Sequence, residues 1–355
     1  MREPPRGMTK TGALGKTGLR VPPVIFGTSS LGNLYKALPA ETKLEILREI
    51  VRWSPAPVVL DCAGKYGAGL ALEAIGQGLR TLGVEPDQVL ISNKLAWLRT
   101  PLVGPEPMFE PGVWADLKND ATQAIGYEGI LRCWEQGCEL LGGRYRPQLV
   151  SVHDPDEYLA RAKTDSDRAR AMNDIAGAYR ALHELKQRGE VRAVGLGAKD
   201  WRVVRELADK VELDWVMLAC SLTVYSNPPE VLDLIASLES RGIGIINSAV
   251  FHAGALTGGA IFDYRPLDPA RPEDRRFLEW REKFNALCAK HDVPVATACV
   301  AFALSPPGVA CIALNTSRVE HVKRNVEMGR AEVPARLWVD MKDAGLLRRD
   351  YPYLG

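Results

Sequence analysis

The chain has 355 residues, 46% hydrophobic and 25% charged, with 45 Lys and Arg against 44 Asp and Glu. A formal net charge of +1 supplies no basic surface for nucleic acid or an anionic bilayer, and no run of about 18 apolar residues could cross a membrane. The length suits two average domains or one α/β barrel of roughly 250 residues with insertions.

The leading MREPPRGMTKTG lacks the apolar core of a secretory signal, and the seven cysteines show no CxxC or CxxH spacing, so a reducing, cytoplasmic setting is expected. GALGKTGLRVPPVIFGT then reads as two extended stretches joined through Gly15 and Gly18, followed by a buried strand ending at Gly27. Its GKT is no phosphate loop, because Lys10 stands where that motif requires glycine.

From there short apolar runs alternate with amphipathic stretches, the pattern of repeated βα units. VPPVIFG, PVVLDCA, QVLISNKL, QLVSVHD, VRAVGLGA, DWVMLAC, GIGIIN and VACIALN are the predicted strands. The helical stretches, from ETKLEILREIVRW to VATACVAFALS, are each read as following their strand. Eight such units predict a (β/α)8 barrel with an N-terminal hairpin, taken as one domain over 1–355. An open dinucleotide-binding sheet would need GxGxxG after its first strand, and FGTSSLGNLY does not supply it.

Residues 96–124 and 251–275 exceed ordinary βα loops and fall after the third and seventh strands, where a barrel builds its site. Trp97, Phe109, Trp114 and Phe251 are therefore expected in a pocket wall. The five histidines, at 153, 183, 252, 291 and 321, form neither HxH nor HExxH, so no metal is expected.

Four polar residues sit where apolar strands stop: Asp61 and Tyr66 in VVLDCAGKYG, Lys94 in VLISNK, and His153 in LVSVHDPD. A phenol with a pKa near 10 is a poor proton carrier at neutral pH unless a neighbouring cation lowers it. Lys94 is placed to be that cation, Asp61 to keep it charged, and His153 to hydrogen-bond a substrate oxygen.

These residues, in this order, resemble the aldo-keto reductase superfamily, from LGKTGLRVPPVIFGT through DCAGKYG, ISNK and VHDPD to RVEHVKRNV. SLGNLYK and VSVHDPDEYL are most similar to its aldose dehydrogenase branch, which includes L-fucose, D-threo-aldose and L-galactose dehydrogenases. The resemblance implies an oxidoreductase of carbohydrate metabolism with Tyr66 as general acid or base. Hydride would pass between NAD or NADP and the carbonyl or hemiacetal carbon of an aldose or related compound. It also implies cofactor contacts. Gly197, Ala198 and Lys199 stand where the family holds the carboxamide, and Asn247 where a tyrosine stacks on nicotinamide. Ser248, Phe251, Gly254 and Leu256 would surround the pyrophosphate. Thr316, Ser317 and Arg318 would lie near the ribose, and Asn325 near adenine. His321 replaces an arginine common in NADPH users, which favours NAD while leaving NADP open. The alternatives are an NADPH-dependent reductase of sugar-derived aldehydes and a barrel that holds cofactor without turnover. The expected partner is a small sugar or carbonyl compound; oligomeric state is not set by the sequence.

Overall fold

The computed structural model describes residues 11–263 and 265–355; the polar lead, residues 1–10, and position 264 lie outside the described residues. Eight parallel strands close into a barrel in chain order. They are β1 (Val24–Gly27), β2 (Val58–Ala63), β3 (Val89–Leu95), β4 (Leu149–His153), β5 (Ala193–Ala198), β6 (Trp215–Ala219), β7 (Gly244–Ser248) and β8 (Val309–Leu314). The strands are buried on both faces, which is why their sequences read as continuous apolar runs.

Strand alternation decides what enters the lumen. Below, Leu14, Leu19, Ile25, Val59, Leu90, Leu149, Trp215, Met217, Ile246 and Cys311 pack as one apolar plug. Leu14 and Leu19 come from the hairpin pairing Gly12–Ala13 with Arg20–Val21, so the hairpin caps the barrel floor. Each fully buried Leu or Ile there stabilises by about 2 kcal/mol. Above, the inward positions turn polar: Ser92 and Lys94 on β3, Ser151 and His153 on β4, and Asp61 on β2.

The helix count around the barrel differs from the expectation. Pro272–Lys290 and Val295–Ala303 both lie between β7 and β8, and β8 is followed by His321–Met328. That last helix buries Val322 and Val326 on one side, too short an apolar face to stand out in the sequence. The long helix between β4 and β5 starts at Asp165, where the Thr164 hydroxyl accepts from the Asp167 N–H at 3.1 Å and caps an otherwise polar first turn. Among the described residues, no single helix is long and apolar enough to cross a membrane.

Both long insertions have structure of their own. Trp97–Pro101 pairs antiparallel with Asn119–Gln123, making 96–124 a hairpin with a folded tip. In 251–275, Ile261–Phe262 pairs with Arg265–Pro266 ahead of the Pro272–Lys290 helix.

Candidate active site

β2 and β3 run in register with Asp61 beside Ser92 and Ala63 beside Lys94. Their inward side chains therefore meet at the top of the lumen. Lys94 Nζ lies 2.5 Å from Asp61 Oδ2, and Ser92 Oγ donates to Asp61 Oδ1 at 3.1 Å. Gly197 on β5 leaves room for the lysine stem, since a methyl there would sit 3.0 Å from Lys94 Cδ.

Tyr66 follows β2 in a tight turn whose amide bonds back to the Ala63 carbonyl at 3.0 Å. Gly67 is left-handed, φ +62°, and a Cβ there would stand 2.3 Å from the Gly32 carbonyl oxygen. The two backbones thus pack directly together and press Tyr66 into the barrel mouth. Lys94 Nζ is 4.9 Å from the Tyr66 ring centroid, and the His153 ring meets it edge-on at 5.8 Å. All four sequence-predicted polar residues are brought together.

Their electrostatics depart from the expectation in one respect. Burial pushes the Tyr66 phenol well above 10, and the nearby Asp61, Cys62 and Asp154 charges push the same way against Lys199. Lys94, its charge matched by Asp61 at 2.5 Å, does not outweigh that burial. Tyr66 therefore holds its proton at neutral pH. His153 is held neutral: burial, aided by Lys94, Lys65 and Lys199, outweighs the attraction of Asp154. Its Nδ1 has no partner among the described residues.

Above these residues opens a cleft of about 940 Å³. Of the predicted cofactor contacts, Gly197, Ala198, Lys199, Ser248, Phe251, Gly254, Thr316, Ser317, Arg318, His321 and Asn325 line it. Leu256 does not; its side chain is fully buried in the hydrophobic core. Asn247 is also misplaced by the sequence reading. It faces outward, its Nδ2 donating to the Leu222 and Ala303 carbonyls, while Ser248 takes the position on the cleft wall. Of the four aromatics, Trp114 and Phe251 line the cleft, whereas Trp97 and Phe109 pack behind Trp114.

The far end of the cleft fits an anionic, hydrogen-bonding ligand. Arg318 and Arg324 line it, and neither is paired with a carboxylate among the described residues. Ser30 Oγ donates to the Thr316 carbonyl at 2.6 Å, tying the loops after β1 and β8 into one wall.

Two clusters escaped the sequence reading. Lys65, beside Tyr66 in the chain, is buried and ion-paired to Glu110 at 2.6 Å, Asp154 at 2.9 Å and Glu157 at 3.5 Å. Its signal was the run of acids just after His153, which a buried lysine nearby requires. In the 251–275 insertion, His252 links Thr223 Oγ1 and Asp263 Oδ2, each at 2.8 Å, and Cys220 Sγ lies 3.3 Å from Asp263 Oδ1. Both imidazole nitrogens are thereby engaged in fastening the 251–275 insertion to the loop after β6.

Known proteins resemble this chain along most of its length. The chain is 27% identical over 350 residues to pyridoxal 4-dehydrogenase of Microbacterium luteolum, covering 94% of this chain and 97% of the relative. It is 28% identical to D-threo-aldose 1-dehydrogenase of a Pseudomonas species, again covering 94% and 97%. An aldo/keto reductase of Klebsiella pneumoniae solved with NADP and acetate superposes with a TM-score of 0.64 at 17% identity, covering 98% of this chain and 99% of that one. The Aldo/keto reductase family model matches residues 23–343, and the chain is an oxidoreductase belonging to that family.

Proposed function

We propose that this protein transfers hydride between a nicotinamide dinucleotide and the carbonyl or hemiacetal carbon of an aldose or similarly hydroxylated aldehyde. The observation that carries this reading is Tyr66 packed on the buried Lys94–Asp61 pair with a neutral His153 edge-on beside it, at the base of the cleft. Neutral His153 orients the substrate oxygen by donating a hydrogen bond to it, and protonated Tyr66 donates its proton to that oxygen in reduction. In oxidation Tyr66 acts as the base, and the Lys94–Asp61 pair stabilises the phenolate that this requires.

The bound dinucleotide supplies or accepts the hydride. Arg318 and Arg324 are placed for its phosphates, with Thr316, Ser317, His321 and Asn325 toward the adenosine end. His321 favours NAD, while the two arginines leave NADP usable. The hydroxylated substrate class is supported by the two dehydrogenase relatives and by the hydrogen-bonding wall of Tyr35, Lys65, Glu110 and Asp154.

The test is turnover of a panel of aldoses with NAD and NADP, followed by absorbance of the reduced cofactor. Tyr66→Phe should lose on the order of 10²–10⁴ in kcat. Because Tyr66 holds its proton at neutral pH, kcat/KM for oxidation should still be climbing with pH at about 10, with no plateau below it. Full turnover by Tyr66→Phe would overturn the mechanism.

A further inference from the structure

We propose that the ion cluster around Lys65 is a charge filter: it admits neutral substrates to Tyr66 and His153 and rejects those carrying a carboxylate or phosphate. The inference deepens the proposed function and rests only on its carbonyl chemistry, not on the aldose assignment.

Lys65, Glu110 and Asp154 line the cleft beside Tyr66, His153 and Trp114. They come from separate parts of the chain: Lys65 from the turn after β2, Glu110 from the 96–124 hairpin, and Asp154 from the end of β4. Lys65 is over-neutralised. Three carboxylates lie within 3.5 Å of its Nζ, and Glu157 is shared with Lys199, so among the described residues of the cluster two cations face three anions. Asp154 stays ionised: burial opposes its charge, but Lys65 at 2.9 Å and Lys199 overcome it. The Lys65 side chain is 4% exposed and lies 5.0 Å from the Trp97 ring centroid, so it cannot swing out to greet an anion.

Carboxylate oxygens accept hydrogen bonds and repel anions. A hydroxyl or a neutral carbonyl compound can therefore lie against this wall, while an anionic group pays a Coulomb penalty that bulk salt screens poorly at a buried site. The opposite end of the cleft, with Arg318 and Arg324, carries the reverse sign. The cleft is thus electrically polarised, which keeps phosphate groups at the far end and out of the substrate end.

A matched pair of probes tests this. Methyl 4-formylbenzoate and 4-carboxybenzaldehyde share a ring and an aldehyde and differ in charge. For wild type, kcat/KM for the carboxylate should fall roughly 100-fold below that for the ester. Glu110→Gln should shrink the ratio about tenfold, and Lys65→Met should widen it, because the two changes move the wall charge in opposite directions. Equal use of both probes, or variants that lower both substrates by the same factor, would overturn the filter and leave the cluster as a structural clasp. Quenching of tryptophan fluorescence by each probe measures affinity without turnover. A protein that binds the ester, excludes the acid and reduces neither would keep the filter and sink the proposed function instead.

Discussion

Lys94 and Asp61 are each about 3% exposed and 2.5 Å apart, so neither can be removed without stranding the other. Breaking a buried pair costs about 3–5 kcal/mol, whereas replacing both partners with neutral groups can be close to neutral. Lys94→Met should therefore lower stability by about that amount and also lower kcat. Adding Asp61→Asn should restore most of the stability while kcat stays at least about 100-fold down. Urea unfolding and initial rates on the two variants separate the roles; recovery of kcat in the double variant would mean that the pair only supports the fold.

The 96–124 hairpin is the element that turns an open barrel mouth into a walled cleft. Its tip is held at several points: Tyr35 N–H bonds the Val113 carbonyl at 2.8 Å, Asn33 Nδ2 bonds the Ala115 carbonyl at 3.1 Å, and Glu110 clasps Lys65 at 2.6 Å. Trp114 is the contact it makes with the reacting end, its ring 5.9 Å from that of Tyr66. Trp114→Ala should raise KM about tenfold for aromatic or sugar substrates, since a lost aromatic wall is worth roughly 1–2 kcal/mol. Because the four polar residues stand on barrel strands or on the turn after β2, kcat should change less than about threefold, a split that steady-state kinetics resolves. This hairpin also shows where sequence reading stops. Its position after the third strand and its aromatic content were legible, but which aromatics face the cleft was not. Trp97 and Phe109 differ from Trp114 only in tertiary packing, which no local period encodes. The barrel strands were legible because burial on both faces leaves a continuous apolar run. Asn247 was misread for the opposite reason: a one-residue shift at a strand end reverses the face, and Ser248 next to it is the inward one.

Across the whole molecule, the groups that burial denies their charge set a pH window for stability. His153 is depressed well below 6.5, so its neutral form stabilises the fold fully above that pH, and the contribution is lost as pH falls below it and the unfolded chain takes up the proton. Asp154, also depressed, adds a second loss of the same sign below about pH 4. The alkaline side belongs to the seven cysteines, none of which forms a disulfide. Burial pushes the Cys62, Cys133 and Cys288 thiols up to about 12 and Cys138 to about 11, and raises Cys220, Cys299 and Cys311 as well. Thiols in the unfolded chain ionise near 8.5 while the folded ones do not, so each contributes up to about 1.4 kcal/mol of lost stability per pH unit above that point. The Tm measured in the presence of reductant should therefore be flat between about pH 7 and 8.5, fall on the acid side below about 6.5, and fall more steeply on the alkaline side where several thiols act together. His153→Gln should flatten the limb between about pH 6.5 and 5 and leave the alkaline limb unchanged. An alkaline limb that does not begin until the tyrosine range near pH 10 would show that the thiols ionise as readily in the folded protein as in the unfolded chain.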